Sequence, residues 1–154
     1  MRFTKMHGIG NDYVYVNGFA QEVTDPASLA KAVSERHFGI GGDGLVLILP
    51  SESADIRMRM FNADGSEGMM CGNAIRCVAK YAHERGLAET NPVRVETASG
   101  VKVIEKTLNG DGKVIAASVD MGEPILAPAD IPTTFDGEPV VNADRKSTRL
   151  NSSH

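Results

Sequence analysis

Residues 62–77 read Asn-Ala-Asp-Gly-Ser-Glu-Gly-Met-Met-Cys-Gly-Asn-Ala-Ile-Arg-Cys. Within this stretch the chain passes from turn chemistry to helical periodicity, and no other segment narrows the fold as much. Asn62, Asp64 and Gly65 are turn residues. After Cys71 the apolar residues Ala74, Ile75, Val78, Ala79 and Ala82 recur at the spacing of one helix face. One thiol therefore stands where a turn becomes a helix. The first N–H groups of a helix have no intrahelical partner and carry about half a positive charge. They can hold an anion such as a carboxylate, and they favour an ionised thiol. A nucleophile or base, an anion cradle and a polar approach loop thus lie within sixteen residues.

The rest of the chain supplies strands around that helix. Residues 1–7 and 13–16 read as short strands flanking a loop over 8–12. Thr24-Asp25-Pro26 combines a capping side chain with a proline in the first turn, which predicts a helix running to about Glu35. Gly39, Gly41, Gly42 and Gly44 form a flexible turn before Leu45–Leu49, a continuous apolar run with the signature of a buried strand. Ile56, Met58 and Met60 alternate with Arg57 and Arg59, the pattern of a half-exposed strand. The Cys71 helix should end near Gly86, a C-cap residue. Residues 93–97 and 101–105 form a hairpin around Ala98-Ser99-Gly100, and 114–120 form a further strand.

Several function classes are excluded by what is missing. The net charge is −4, aromatic residues make up 5% and there is no Trp, so no basic, stacking surface for nucleic acid is expected. No apolar run has the length to cross a membrane, and the start Met1-Arg2-Phe3-Thr4-Lys5 lacks the apolar core of a signal peptide. A cytoplasmic location is the default expectation. Cys71 and Cys77 are rotated about 240° apart on a helix, so they cannot bridge within it. There is no Cys-x-x-Cys and no His pair at ligand spacing, so no metal site is expected. The glycines of 39–44 lack the Lys-Ser/Thr of a phosphate-binding loop.

Three motifs occur in order: Met6-His7-Gly8-Ile9-Gly10-Asn11-Asp12-Tyr13, Arg36-His37-Phe38-Gly39-Ile40-Gly41-Gly42-Asp43-Gly44, and the stretch around Cys71. Together they closely resemble diaminopimelate epimerase, from residue 1 to about residue 124. Val119-Asp120-Met121-Gly122-Glu123-Pro124 resembles that family's entry into its second domain. The expected fold is α+β, a diaminopimelate-epimerase-like domain with a mostly antiparallel sheet wrapped around a central helix. The expected division is an N-terminal epimerase domain over 1–117, the start of a truncated second domain over 118–144, and a tail over 145–154. That tail holds three of the sixteen basic residues and none of the twenty acidic ones, and reads as disordered or foreign.

Epimerisation removes an α-proton on one face and returns one on the other. It needs two acid/base groups and donors aimed at the carboxylate as charge develops there. The resemblance implies that Cys71 is one of the two catalytic bases, with no pyridoxal cofactor and no metal. It implies that Gly72 and Asn73 bind the carboxylate of a small amino-acid substrate, with Asn11 and Asn62 hydrogen-bonding substrate from neighbouring loops. The family's second catalytic cysteine lies beyond residue 154, and Cys77, on the same helix, cannot replace it. The chain by itself is therefore expected to be inactive, and its uncovered face predicts self-association as a homodimer. A proline or hydroxyproline-type racemase and a non-catalytic binding fragment are the alternatives. A thiol hydrolase would need a histidine beside Cys71, and the sequence assigns none.

Overall fold

The computed structural model describes residues 1–131. Residues 1–121 form one compact unit. The strands are β1 (Thr4–Gly8), β2 (Asn11–Asn17), β3 (Gly44–Leu49), β4 (Ile56–Asn62), β5 (Glu67–Gly68), β6 (Val93–Thr97), β7 (Gly100–Leu108) and β8 (Val114–Val119). The helices are α1 (Pro26–Ser34) and α2 (Gly72–Glu84). One sheet runs in the order β1-β2-β3-β4-β6-β7-β8, with β5 folded back on β4. The described part of the other unit, 122–131, contains a single 3-10 turn at Pro128–Asp130. The predicted tail 145–154 and residues 132–144 of the predicted second-domain start lie outside the described residues.

The sheet is mostly antiparallel, as expected, but two pairs are parallel: β2 with β3 and β4 with β6. Each parallel pair is joined through a helix, because adjacent parallel strands need a crossover connection. The β2–β3 pair runs opposite to β4–β6, since β3 and β4 are antiparallel, while the strand order advances in one direction. Right-handed crossovers then put the two helices on opposite faces of the sheet.

The buried residues follow that division. Tyr13, Tyr15, Val46, Ile48, Met58 and Met60 turn towards the α2 face, where Ala74, Ile75, Val78, Ala79 and Ala82 meet them. Val14, Val16, Leu45, Leu47 and Phe61 turn the other way, onto Ala30 and Val33 of α1. Strands β2 and β3 are covered on both faces, which is why Leu45–Leu49 carries no polar alternation. The sheet curls so that both its edge strands, β1 and β8, reach α2. The central helix of the expectation is α2.

Local signals mostly act where the sequence placed them. Asp25 caps α1, its Oδ1 accepting from the Ser28 N–H at 3.0 Å. Gly86 takes φ +67° just past α2, and the Leu87 N–H reaches back to the Ala82 carbonyl. The loop expected over 8–12 is shorter than predicted. β1 and β2 pair through Gly8 and Asn11, leaving only Ile9 and Gly10 as the turn. Both have positive φ, the requirement of a tight two-residue hairpin. The two-residue strand β5 was not foreseen, because Glu67-Gly68 has no strand periodicity of its own.

Candidate active site

The hairpin turn, the loop before β3 and the start of α2 converge on one thiol. Cys71 is the N-cap of α2, with extended backbone (φ −141°, ψ 118°), and its side chain makes no capping bond. The sulfur is therefore left to partners outside the helix. As at any helix start, the amides of Gly72 and Asn73 have no intrahelical acceptor. The first helical bond is from the Ile75 N–H to the Cys71 carbonyl, at 2.9 Å.

Asn11 lies next to this thiol although sixty residues separate them. The Cys71 thiol donates to Asn11 Oδ1 at 3.4 Å, and Asn73 Nδ2 donates to the same oxygen, also at 3.4 Å. The Tyr13 phenol stands beside Cys71, and burial, with the thiol's influence added, pushes it above its ordinary range. Gly8 makes the approach possible: a Cβ there would lie 3.0 Å from both the Cβ and the carbonyl oxygen of Asn73. Open grooves flank the helix start. One of about 370 Å³ is lined by Gly72, Asn73, Arg76, Ala117–Val119 and Met121. Another, of about 450 Å³, opens between β1 and β8 over Asn73, Arg76 and Cys77.

Four of the five residues singled out in the sequence, Asn11, Cys71, Gly72 and Asn73, are thus brought together. Asn62 is held differently. It ends β4 on the register row Tyr13–Gly44–Asn62, and its Nδ2 donates to Ser66 Oγ at 3.0 Å within its own turn. Cys77 is buried in the α2 core, where desolvation pushes its thiol up. Both cysteines are free thiols. The described histidines are engaged elsewhere: His7 with the Gly10 amide, His37 with Glu35, and His83 with Lys106 and the Gly112 carbonyl. None reaches Cys71, so the described residues lack the arrangement a thiol hydrolase needs. Among them there is also no group of three His, Cys, Asp or Glu side chains placed to share a metal ion.

Sequence reading missed the charged residues behind Asn11. Asp43 Oδ2 accepts from Asn11 Nδ2 at 2.7 Å and from the Asp12 N–H at 3.1 Å. Arg36 joins Asp12 (2.9 Å) and Asp43 (3.0 Å), and Lys5 adds a contact to Asp12 at 3.1 Å. At the other end, Arg76 donates to the Asn73 side-chain oxygen and to the Gly72 carbonyl. All these residues except Lys5 lie inside the three motifs, but pairing across thirty residues leaves no mark in a single sequence.

The Arg36 guanidinium holds the Asp12 carboxyl below its usual range, with Lys5 contributing. A carboxyl lowered on folding stabilises the fold above its unfolded value, about 4. That stabilisation is lost as pH falls through the lower, folded value. Arg36→Met is thus expected to lower the unfolding temperature at pH 7 by a few degrees at most, since the pair is solvent-facing. It should also flatten the loss of stability below about pH 4. Thermal unfolding followed by circular dichroism across acid pH checks this; an unchanged acid slope would show that the pair contributes nothing.

The family model described as diaminopimelate epimerase matches residues 3–127. The chain belongs to the diaminopimelate epimerase family. The Acetivibrio thermocellus diaminopimelate epimerase is 63% identical over 138 residues, covering 90% of this chain and 49% of that protein. The Methanococcus maripaludis diaminopimelate epimerase is 53% identical over 144 residues, covering 94% and 52%. The chain spans about half the length of the curated relatives it matches. Among solved structures, a hydroxyproline epimerase from Agrobacterium vitis superposes with a TM-score of 0.58 at 19% identity. That match covers 77% of this chain and 42% of the other. A phenazine biosynthesis protein of the PhzF family from Bacillus anthracis gives a TM-score of 0.54 at 26% identity, covering 73% and 38%. The α+β fold of a diaminopimelate-epimerase-like domain is accordingly the one observed.

Proposed function

We propose that this chain carries one of the two acid/base groups of an epimerase interconverting LL- and meso-diaminopimelate, a step of lysine and cell-wall synthesis. One observation carries the reading: the Cys71 sulfur, which makes no capping bond, stands at the start of α2 beside the amides that can hold a carboxylate and bonds Asn11. The identity to proteins named diaminopimelate epimerase supports the substrate.

In this mechanism the amides of Gly72 and Asn73 receive the substrate's α-carboxylate. As the α-proton leaves, charge spreads onto that carboxylate, and donors already aimed at it lower the barrier. Cys71 takes or gives the proton on one face of the α-carbon. The group on the other face belongs to the portion of the relatives beyond the matched region. Asn11 and Asn62 hydrogen-bond the substrate from the neighbouring hairpin and turn. The reaction needs no cofactor from these residues, and a biosynthetic role of this kind places the protein in the cytoplasm.

Iodoacetamide at neutral pH is expected to label Cys71 at least ten times faster than Cys77, because Cys77 is 7% exposed and its thiol is pushed up by burial. LL-diaminopimelate should slow the labelling of Cys71 and leave Cys77 unaffected. Peptide mapping by mass spectrometry reads both rates. Equal labelling, or faster labelling of Cys77, would sink the assignment of the site.

A further inference from the structure

Between Asp43 and Arg76 runs a line of hydrogen bonds whose direction is decided at its ends. The Asp43 carboxylate can only accept, so Asn11 must offer it Nδ2. The Arg76 guanidinium can only donate, so Asn73 must offer it Oδ1. The remaining ends of the two amides then face one another correctly, Asn73 Nδ2 donating to Asn11 Oδ1. An amide side chain has no intrinsic preference for which end faces which neighbour. Here both orientations follow from charged residues that do not touch the thiol.

The consequence falls on Cys71. Its sulfur meets Asn11 through the oxygen, which accepts the S–H. Had Asn11 turned over, the sulfur would meet an N–H, which favours the thiolate instead. Arg36 completes the arrangement by bonding Asp43 Oδ1, leaving Oδ2 to Asn11 and to the Asp12 amide. We propose that Asp43 and Arg76 are positioning residues that fix the amide polarity around Cys71, so that Asn11 presents an acceptor to its thiol. This rests on the reading of Cys71 as an acid/base group, and it sets which end of Asn11 meets the sulfur.

Asp43→Asn tests it. The neutral amide offers one oxygen to the Arg36, Asn11 and Asp12 donors that the carboxylate serves with two, so Asn11 Nδ2 is no longer firmly held away from the sulfur. Cys71 in the 154-residue chain should then react with iodoacetamide several-fold faster at pH 7, up to the roughly tenfold set by replacing an acceptor by a donor at a charged group. Its rate–pH profile should move to lower pH. The titratable groups around the thiol are Tyr13 and Tyr15 of β2, Cys77 of α2, and Asp43 beyond Asn11. Removing a negative charge could by itself produce the same acceleration, so Asp43→Asn is repeated in an Asn11→Ala background. If Asp43 acts through Asn11, the acceleration there falls below about twofold. The exchanged pair Asn11→Asp with Asp43→Asn keeps the bond and restores an acceptor beside the thiol. It should return the rate to the parent value or below, which also guards against a misfolded single variant. Slow Cys77 labelling throughout reports an intact fold. An unchanged profile in Asp43→Asn, or equal acceleration with and without Asn11, overturns the proposal. Either result would leave the contrast between Cys71 and Cys77 labelling, and with it the site assignment, standing.

Discussion

Replacing Cys71 by alanine should abolish inversion of LL-diaminopimelate. The expectation applies to an enzyme completed with the portion that its relatives carry beyond the matched region, since the chain covers about half of them. Inversion requires a proton to leave one face and another to arrive on the opposite face, so neither acid/base group can stand in for its partner. Loss of one such group costs about two to four powers of ten in rate. The 154-residue chain alone should likewise give no inversion, because Cys71 is the one thiol that the described residues place at the site. Chiral chromatography with deuterium incorporation from heavy water measures both. Full turnover by the chain alone, or by the Cys71→Ala enzyme, would refute the two-thiol mechanism.

Ile75→Ala is expected to cost about 2–5 kcal/mol of folding stability, enough to unfold much of a marginal domain. Ile75 is fully buried in the first turn of α2, inside the cluster that joins the helix to β2, β3, β4 and β6. Its deletion leaves a cavity in the packing that holds the Cys71 turn against the Asn11 hairpin. Ile75→Val, which removes one methylene, should cost about 1 kcal/mol and serves as the comparison. Urea unfolding measures the difference. A cost near zero for alanine would mean that α2 is not the element around which the sheet closes. The selective labelling of Cys71 should weaken along with stability, because the site and the core share this helix.

Most of the elements were legible because they follow local rules. Asp25-Pro26 starts a helix wherever it occurs with such a sequence after it, and Gly86 ends one. The alternation of Ile56–Met60 and the unbroken run Leu45–Leu49 state their burial directly, one face and two faces respectively. The failures are of another kind. The 8–12 loop contracted to Ile9-Gly10 because strand pairing imposes a positive φ on Ile9, which its β-branched side chain does not favour. β5 exists only because β4 offers an edge to pair with.

The sequence by itself determined the helix that carries the thiol, the position of Cys71 at its first turn, the strands that surround it and, through three motifs in order, the family. Those are properties of contiguous residues, governed by periodicity, capping and turn chemistry over about ten positions. The tertiary structure alone decided the two parallel pairs, the placing of α1 and α2 on opposite faces, and the meeting of Asn11 with Cys71 and Asn73. It alone showed that Asn62 bonds within its own turn, and that Asp43, Arg36 and Arg76 stand behind the asparagines. Hydrogen bonds and ion pairs act over a few ångströms of space. The chain separations they bridge here, up to sixty-two residues, are set by the crossovers and the curl of the sheet rather than by any local preference.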